Sequence, residues 1–275
     1  MTPVTTRPSP AIACSRMYNL SPRISGLWDR LFDWLSSQSG ITLEVIPHAA
    51  PAPLSELWAR PDMGAVFMCG FPFSRLAAAE RPIPLAAPVS TAGWANGQPV
   101  YASHIVAAND KPLTEAELST VRWGWTVRDS QSGYNAPREF VAALAKGRLV
   151  RETVGPLLNP RGVVDAIRAG AIDVGAIDAY AYQLMEMHEP DMIAPLCVVA
   201  TTRPAPFPLL VAGREQPPEM IAALRYALLN VHQDPEGRSI LGSLGLAAFV
   251  EPDIAAYEQL PARTLFVDDI LGGTW

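Results

Sequence analysis

The chain has 275 residues, of which 49% are hydrophobic and 17% are charged, and its formal net charge is -6. These values describe a folded globular protein with room for one large or two medium domains, and they exclude disordered and fibrous classes. Because the charge balance is acidic, no basic face is indicated and nucleic acid is not an expected partner. A small anionic ligand held by local dipoles remains compatible with this composition.

The cysteines Cys14, Cys69 and Cys197 lie in separate apolar runs. Their odd number and wide spacing favour neither a disulfide framework nor a zinc site, so we expect buried thiols, no metal and no other cofactor. No stretch has the roughly 18 apolar residues of a membrane span. Residues 1–10 lack the apolar core of a secretory signal. We therefore expect no membrane insertion, and a cytoplasmic location unless a leader has been removed, which would make it periplasmic.

The first part of the chain alternates predicted strands and helices. This alternation predicts an α/β protein with a parallel sheet covered by helices, in which ligands bind beyond the carboxyl ends of the strands. That rule directs attention to Tyr18, after the first strand, and to Phe71, after the third. The predicted elements are a strand at 11–18, a helix from Pro22 that Gly40 ends, a strand at 41–46, a short helix at 54–60, and strands at 63–69 and 83–89 on either side of a short helix at 74–80.

A second α/β unit begins after an extended crossing segment at 99–108, and a second crossing at 192–212 leads back. The predicted architecture is therefore two-lobed, with lobe 1 formed by 1–100 and 204–275 and lobe 2, formed by 101–203, inserted into it. A cleft between two such lobes, joined by two hinge segments, favours small-molecule binding. The predicted elements of this part are strands at 121–127, 149–154 and 172–178, helices from the turn after Arg128 to 145, at 161–169, 179–188, 220–231 and 237–246, and an irregular tail at 251–275.

The turn between Arg128 and Pro137 is the most informative stretch of the sequence. Pro137 cannot donate a backbone hydrogen bond, so the helix must start a few residues earlier and expose the amides of Ser132, Gly133 and Tyr134. Free amides at the positive end of a helix form a site for an oxyanion, and Gly133 lacks the Cβ that would keep a ligand from the backbone. The alternative is that Ser132 is simply the helix cap.

Three segments resemble the binding components of phosphate, phosphite and phosphonate ABC transporters, which have the type 2 periplasmic-binding-protein fold. The turn Ser130-Gln131-Ser132-Gly133-Tyr134-Asn135-Ala136-Pro137 is similar to the family's Ser-x-Ser-Gly, aromatic, proline pattern. Residues 161–178 are similar to the family helix and strand that end in Ile-Asp, and 241–250 to its late Leu-Gly-Leu-x-x-Phe segment. The resemblance extends from about residue 11 to 256.

The resemblance implies that Ser130, Ser132, Gly133 and Tyr134 hold the oxyanion of the ligand. Asp178 would face a ligand hydroxyl or amine, or accept a hydrogen bond from a protonated phosphonate oxygen. Tyr101 and Ser103 are candidates near the hinge, and Tyr18 and Phe71 are candidates for the opposite wall by position alone. The implied partners are a small anionic ligand and an ABC transporter permease, and we expect a monomer.

The sequence departs from the family pattern at two places. Val127 and Arg128 stand where the family usually has Asp-Pro, and Arg128 either adds positive charge at the site or points to solvent. Leu158, Asn159 and Pro160 replace a Gly-Ser-His segment, so a hydroxyl and an imidazole that could touch the ligand are lost.

The leading hypothesis is a non-enzymatic binding protein that clamps a small oxyanion. Two alternatives stay open: a cytoplasmic enzyme of the same fold, similar to menaquinone-pathway dehydratases or thiamine-pyrimidine synthases, and an intracellular metabolite sensor. Cys69, His104 and Asp178 are the residues that keep the enzyme possible. Cys69 distinguishes these classes, because replacing a catalytic thiol abolishes activity whereas a binding protein tolerates the change.

Overall fold

The computed structural model describes residues 10–145, 152–271 and 275, and its strands form two mixed sheets and a short ribbon. The six-stranded sheet has the order β13-β4-β12-β3-β1-β2, the five-stranded sheet β10-β6-β9-β7-β8, and the ribbon pairs β11 with β5. The described strands are β1 Ala11–Cys14, β2 Leu43–Val45, β3 Met63–Met68, β4 Ile83–Ser90, β5 Val100–Tyr101, β6 Ser103–Ala108, β7 Arg122–Gly124, β8 Glu152–Val154, β9 Val174–Asp178, β10 Leu196–Thr201, β11 Ala205–Pro206, β12 Leu209–Ala212 and β13 Leu246–Val250.

Helices cover both sheets, which confirms the predicted α/β class. Within the described ranges, no helix combines the length and the apolar character needed to cross a membrane. The helices are α1 Pro22–Ser39, α2 Leu54–Trp58, α3 Gly70–Arg75, α4 Ala136–Ala145, α5 Pro160–Arg168, α6 Ala179–His188, α7 Pro190–Ile193, α8 Pro218–Asn230, α9 Pro235–Ser243, α10 Ile254–Glu258 and α11 Leu260–Leu271.

Helix α1 shows how local sequence sets the element bounds. Ser21 caps its start by accepting a hydrogen bond from the Ile24 amide at 3.2 Å, and Pro22 occupies the first position, where no donor is needed. Gly40 ends it in the left-handed conformation with φ 69°. The apolar stripe that includes Trp28 is buried. The predicted helix between Pro22 and Gly40 is confirmed.

Strand direction differs from the prediction. β1 runs parallel to β2 and β3, but β12 lies antiparallel between β3 and β4, and β13 is antiparallel to β4. The five-stranded sheet is also mixed, since β6 is antiparallel to β9 and β10 while β7 is parallel to β8 and β9. The prediction of a parallel sheet was therefore wrong, because each crossing of the chain delivers a strand that runs against its neighbours.

The chain passes between the two sheets twice, and the two passages are paired. In the ribbon, Tyr101 lies opposite Ala205 and Val100 opposite Pro206 in antiparallel register. The first crossing confirms the extended segment predicted at 99–108. The second crossing was predicted as extended from residue 192, but its first residues belong to α7, where Pro190 occupies the first turn.

The largest error of the sequence-based prediction concerns the tail. Residues 251–275 were predicted to be irregular, whereas α10 and α11 are helical and α11 packs against both α3 and α4. Pro261 lies in the first turn of α11, where its missing N–H costs nothing. Arg263 of α11 donates hydrogen bonds to Glu139 of α4. These tertiary contacts, which no local pattern reports, stabilise the helix.

Three smaller corrections follow. The helix predicted at 74–80 is α3, which begins four residues earlier because Pro72 is tolerated near a helix start. β13 was not predicted; its residues fell partly inside the helix predicted at 237–246, and that helix is α9. Of the strand predicted at 149–154, residues 152–154 form β8, and the remaining positions lie outside the described residues.

An aromatic cluster packs elements of the two sheets together. Tyr18 lies 4.9 Å from Tyr180 and 5.1 Å from Phe67 between ring centroids, and Trp28 lies 4.9 Å from Phe67. Tyr180 belongs to α6, which follows a strand of the five-stranded sheet, yet its hydroxyl donates to the Leu244 carbonyl at 2.8 Å. The carboxyl ends of β1, β3 and β9 are thereby held close to one another.

Candidate ligand-binding cleft

A small cavity lies where the carboxyl ends of strands from the two sheets meet. Its volume is about 70 Å³, and since one water needs about 10–15 Å³ of such space, it holds roughly five water-sized atoms. We call the side near the six-stranded sheet the first wall and the side near the five-stranded sheet the second wall. The first wall consists of Arg16, Met17, Leu54, Trp58 and Cys69, and the second of Thr126, Val127, Asp129, Ser130, Ser132, Gly133, Leu158, Asn159, Pro160, Ala176 and Asp178.

The second wall is built from three helix starts, and the residue that caps each of them lines the cavity. Ser130 precedes a turn of π-helix, Gln131–Asn135, that leads into α4. Asn159 caps α5 by accepting from the Gly162 amide at 2.9 Å. Asp178 caps α6. Each helix start carries partial positive charge from its unpaired amides, so three positive dipole ends converge on one small space.

The start of the π turn differs in detail from the prediction. The Ser130 hydroxyl accepts a hydrogen bond from the Gly133 amide at 2.9 Å, so Ser130 is the cap and the Gly133 amide is already paired. Within the described ranges, the amide of Ser132 has no hydrogen-bond partner. Of the three amides predicted to be free, that of Ser132 is therefore available at the cavity, whereas Tyr134 does not line it.

Gly133 is required for a reason that the sequence did not reveal. A Cβ at this position would lie 2.0 Å from the Thr126 hydroxyl oxygen and 2.8 Å from its methyl carbon. The glycine thus allows the π turn to lie directly against Thr126, which follows β7. The sequence-based interpretation of Gly133 was different, namely that it gives a ligand access to the backbone.

Asp178 is the most strongly perturbed carboxyl group of the cleft. Its Oδ1 accepts from the amides of Tyr180 and Ala181 at 2.9 and 3.1 Å, and its Oδ2 accepts from the Tyr18 hydroxyl at 3.4 Å. Burial outweighs these hydrogen bonds and raises the pKa of Asp178 to about 7. Near neutral pH the group is therefore present in both forms, and the protonated carboxyl can donate a hydrogen bond to an anion.

The other predicted site residues lie behind the cavity and do not line it. Tyr18, Phe71, Tyr101, Ser103 and Tyr134 are all buried. The Ser103 hydroxyl donates to the Ser132 carbonyl at 2.9 Å, and so supports the π turn from the hinge side. The Tyr101 hydroxyl is buried without a hydrogen-bond partner among the described residues.

Arg16 is a cavity residue that the sequence analysis missed. It lies two residues after the end of β1 and two residues before Tyr18, the residue that the rule on strand ends had indicated. Arg128, in contrast, was considered as a source of positive charge at the site but does not line the cavity. Arg128 is exposed, stacks over Trp125 at 5.2 Å and donates to the Tyr134 hydroxyl at 3.1 Å, outside the cavity.

Cys69 lines the cavity but lacks the features of a catalytic thiol. Burial raises the pKa of its thiol to about 11, so it is protonated near neutral pH. Its sulfur accepts a weak hydrogen bond from the Gln131 amide at 3.5 Å, across the cleft. In the part of the chain that the structure describes, no cluster of three or more His, Cys, Asp or Glu side chains could hold a metal ion.

The fold and the cleft define the class of protein: a two-sheet α/β fold of the type 2-like periplasmic-binding-protein kind, with the candidate site between its two sheets. The family model described as "ABC transporter, phosphonate, periplasmic substrate-binding protein" matches residues 18–257. The chain belongs to this family, which consists of substrate-binding proteins rather than enzymes. A comparison with curated protein sequences gave no match.

Solved structures support the same fold. The binding protein component of an ABC phosphonate transporter from Pseudomonas aeruginosa is 18% identical with a TM-score of 0.75, over 94% of this chain and 88% of that one. PhnD1 from Prochlorococcus marinus, solved with methylphosphonate, is 14% identical with a TM-score of 0.75, over 95% and 98%. A Xanthomonas citri protein bound to ATP is 17% identical with a TM-score of 0.65, over 95% and 98%. At these identities the likeness establishes the fold.

Proposed function

We propose that this chain binds a small phosphorus oxyanion, phosphate-like or phosphonate-like, in the cavity between its two walls, and delivers it to an ABC transporter permease. The observation that carries the proposal is the convergence of three helix starts, whose capping residues Ser130, Asn159 and Asp178 all line one cavity. Helix N-termini bind oxyanions through free amides and dipoles. The cavity's small volume suits a headgroup of about five heavy atoms.

In this proposal, residues 130–134 hold the oxyanion. The free amide of Ser132, which lines the cavity, donates to it, while Ser130, Gly133 and Tyr134 shape the turn. Asp178, with a pKa of about 7, donates as a carboxylic acid to a ligand oxygen or accepts as a carboxylate from a ligand amine or hydroxyl. Tyr18, Phe71, Tyr101 and Ser103 support the walls from behind.

The proposed motion closes lobe 1, residues 1–100 and 204–275, on lobe 2, residues 101–203. The paired strands β5 and β11 connect the two sheets and are the natural hinge, since a few residues there absorb the rotation. The protein would act as a monomer, because every group that the proposal uses belongs to a single chain.

The test is a ligand screen on the purified protein by thermal shift and calorimetry. The panel contains phosphate, phosphite, methylphosphonate, 2-aminoethylphosphonate, methanesulfonate and acetate. A true ligand at a hundred times its dissociation constant stabilises the protein by about 2.7 kcal/mol, a shift of a few degrees.

Variants then locate the ligand. Ser132→Pro removes the free amide and should abolish the shift, whereas Ser239→Ala, on the exposed face of α9, should leave it unchanged. Recovery of the ligand unchanged after incubation is also expected. A response confined to carboxylates, conversion of the ligand, or full binding by a folded Ser132→Pro variant would contradict the proposal.

A further inference from the structure

Among the residues that the structure describes, Arg16 is a cation without an ion-pair partner, and it lies at the mouth of the cleft. Its side chain lines the cavity described above and also an adjoining outer cavity of about 120 Å³. The two cavities share five lining residues, so Arg16 lies where one opens toward the other. The shared residues are Arg16, Leu54, Val127, Asp129 and Leu158.

The guanidinium of Arg16 lacks the partners that other enclosed arginines have. Its Nε is buried without a hydrogen-bond partner among the described residues, and none of their carboxylates lies within 4.0 Å of the group. By contrast, Arg81 pairs with Glu258 at 2.6 Å and Arg138 with Asp268 at 2.7 Å.

Burial without a counter-ion has an energetic cost. It lowers the pKa of Arg16, with desolvation as the largest cause. A partly buried cation is retained at little cost only when an anion arrives to pair with it. The acidic residues of the cavity lining, Asp129 and Asp178, both belong to the second wall, and neither forms an ion pair with Arg16.

We propose that Arg16 is the specificity-determining contact of the first wall and pairs with the oxyanion headgroup whose other side lies against the helix starts of the second wall. This inference rests on the proposed function. The planar guanidinium presents several donors in a fork that matches phosphate and phosphonate oxygens, and such charge-assisted hydrogen bonds are stronger than neutral ones. Arg16 then supplies the full positive charge that the dipoles of the second wall lack.

The experiment compares Arg16→Gln and Arg16→Lys with Arg30→Gln, a control that removes the same charge from an exposed position of α1. Dissociation constants are measured by calorimetry for inorganic phosphate, methylphosphonate and phosphonoacetate, with methanesulfonate and acetate as further anions. We expect Arg16→Gln to weaken binding of all three phosphorus ligands about 10- to 100-fold. Arg16→Lys should lose less, and Arg30→Gln should stay within about twofold of the unaltered protein, since isolated exposed charges contribute little.

The outcomes separate this inference from the proposed function. If the unaltered protein binds phosphonates and Arg16→Gln binds them equally well, Arg16 is not the headgroup partner, while the proposed function stands. A loss confined to phosphonoacetate would also overturn the inference, because Arg16 would then contact only the second acid. Binding of acetate or methanesulfonate alone would overturn the proposed function. Binding of no anion would overturn both.

Folding is controlled independently. Because the unpaired guanidinium is costly to bury, Arg16→Gln without ligand should unfold at the same temperature as the unaltered protein or above it. An unfolded Arg16→Gln protein would contradict that expectation, and the test would then rest on Arg16→Lys, which keeps the charge but loses the fork.

Discussion

The two walls of the cleft face the same cavity but are built in different ways. The second wall is organised by the backbone: three helix starts meet there, and the side chains that cap those helices line the cavity. The first wall presents side chains: the Trp58 indole N–H donates to the Phe67 carbonyl at 2.9 Å, and the Arg16 Nε has no partner in the described part of the chain.

This difference teaches where the binding site can tolerate change. A wall made of dipoles depends on the path of the backbone, so a substitution that moves the turn should be far more damaging than one that removes a side chain. A wall made of side chains depends on single groups, so its neutral residues should be replaceable.

Replacing Gly133 by valine should have the largest effect. The new Cβ would collide with Thr126, at 2.0 Å from its hydroxyl oxygen, so either the turn or the residues after β7 must move. We expect a loss of about 3–5 kcal/mol in the free energy of unfolding, measured by urea denaturation. The expected effect is thus on the fold, in addition to any effect on access of a ligand to the backbone.

The matched control is Gly26→Ala in α1, where an added Cβ meets no atom within 4 Å. This change should stabilise the protein by about 0.5–1 kcal/mol, since alanine is the better helix former. Equal stability of Gly133→Val and the unaltered protein would show that the turn is not held against Thr126.

Asp178→Asn should change how stability depends on pH. Burial raises the folded-state pKa of Asp178 from 3.8 to about 7, so this group's contribution is fully present below pH 4 and is lost as the pH rises through 7. Between these two pH values, the free energy of unfolding of the unaltered protein therefore falls by about 2–4 kcal/mol. Asparagine keeps an oxygen for the amides of Tyr180 and Ala181 but does not titrate. The stability of the variant relative to the unaltered protein should therefore increase between pH 4 and pH 8.

Asp173→Asn provides a control of opposite sign. Hydrogen bonding to Arg122 lowers the pKa of Asp173, so its stabilising contribution is present above the unfolded pKa and is lost as the pH falls. Because the pKa of Asp173 lies below 3.8, its contribution changes only below about pH 4, so thermal unfolding of the three proteins is compared from about pH 2.5 to pH 8. A stability difference between Asp178→Asn and the unaltered protein that does not vary with pH would refute the raised pKa.

Cys69→Ser should have the smallest effect, as expected for a neutral residue of the first wall. Its thiol, with a pKa of about 11, carries no charge near neutral pH. Its one contact across the cleft is a weak hydrogen bond that a hydroxyl can also accept. We expect the dissociation constant to change less than about threefold, a free energy of about 0.6 kcal/mol. Loss of binding together with loss of ligand turnover would favour an enzyme.

Most helices and strands, and the family, could be predicted from the sequence. The cap Ser21 and the helix stop Gly40 act within one turn of the chain, so neighbouring residues are enough to identify them. The turn at 130–134 and the strand end at Asp178 could be identified for the same reason. Both precede a helix and follow a strand or a strand-like run.

Which of these groups share a cavity could not be predicted from the sequence, because it depends on contacts between distant parts of the chain. The antiparallel placement of β12, the helical tail that packs on α3 and α4, and the role of Gly133 beside Thr126 all depend on neighbours brought together by folding. Arg16 belongs with them. Arg16 is partly buried, has no ion-pair partner among the described residues, and shares the cavity with residues more than a hundred positions away. Periodicity along the chain carries no information about such contacts.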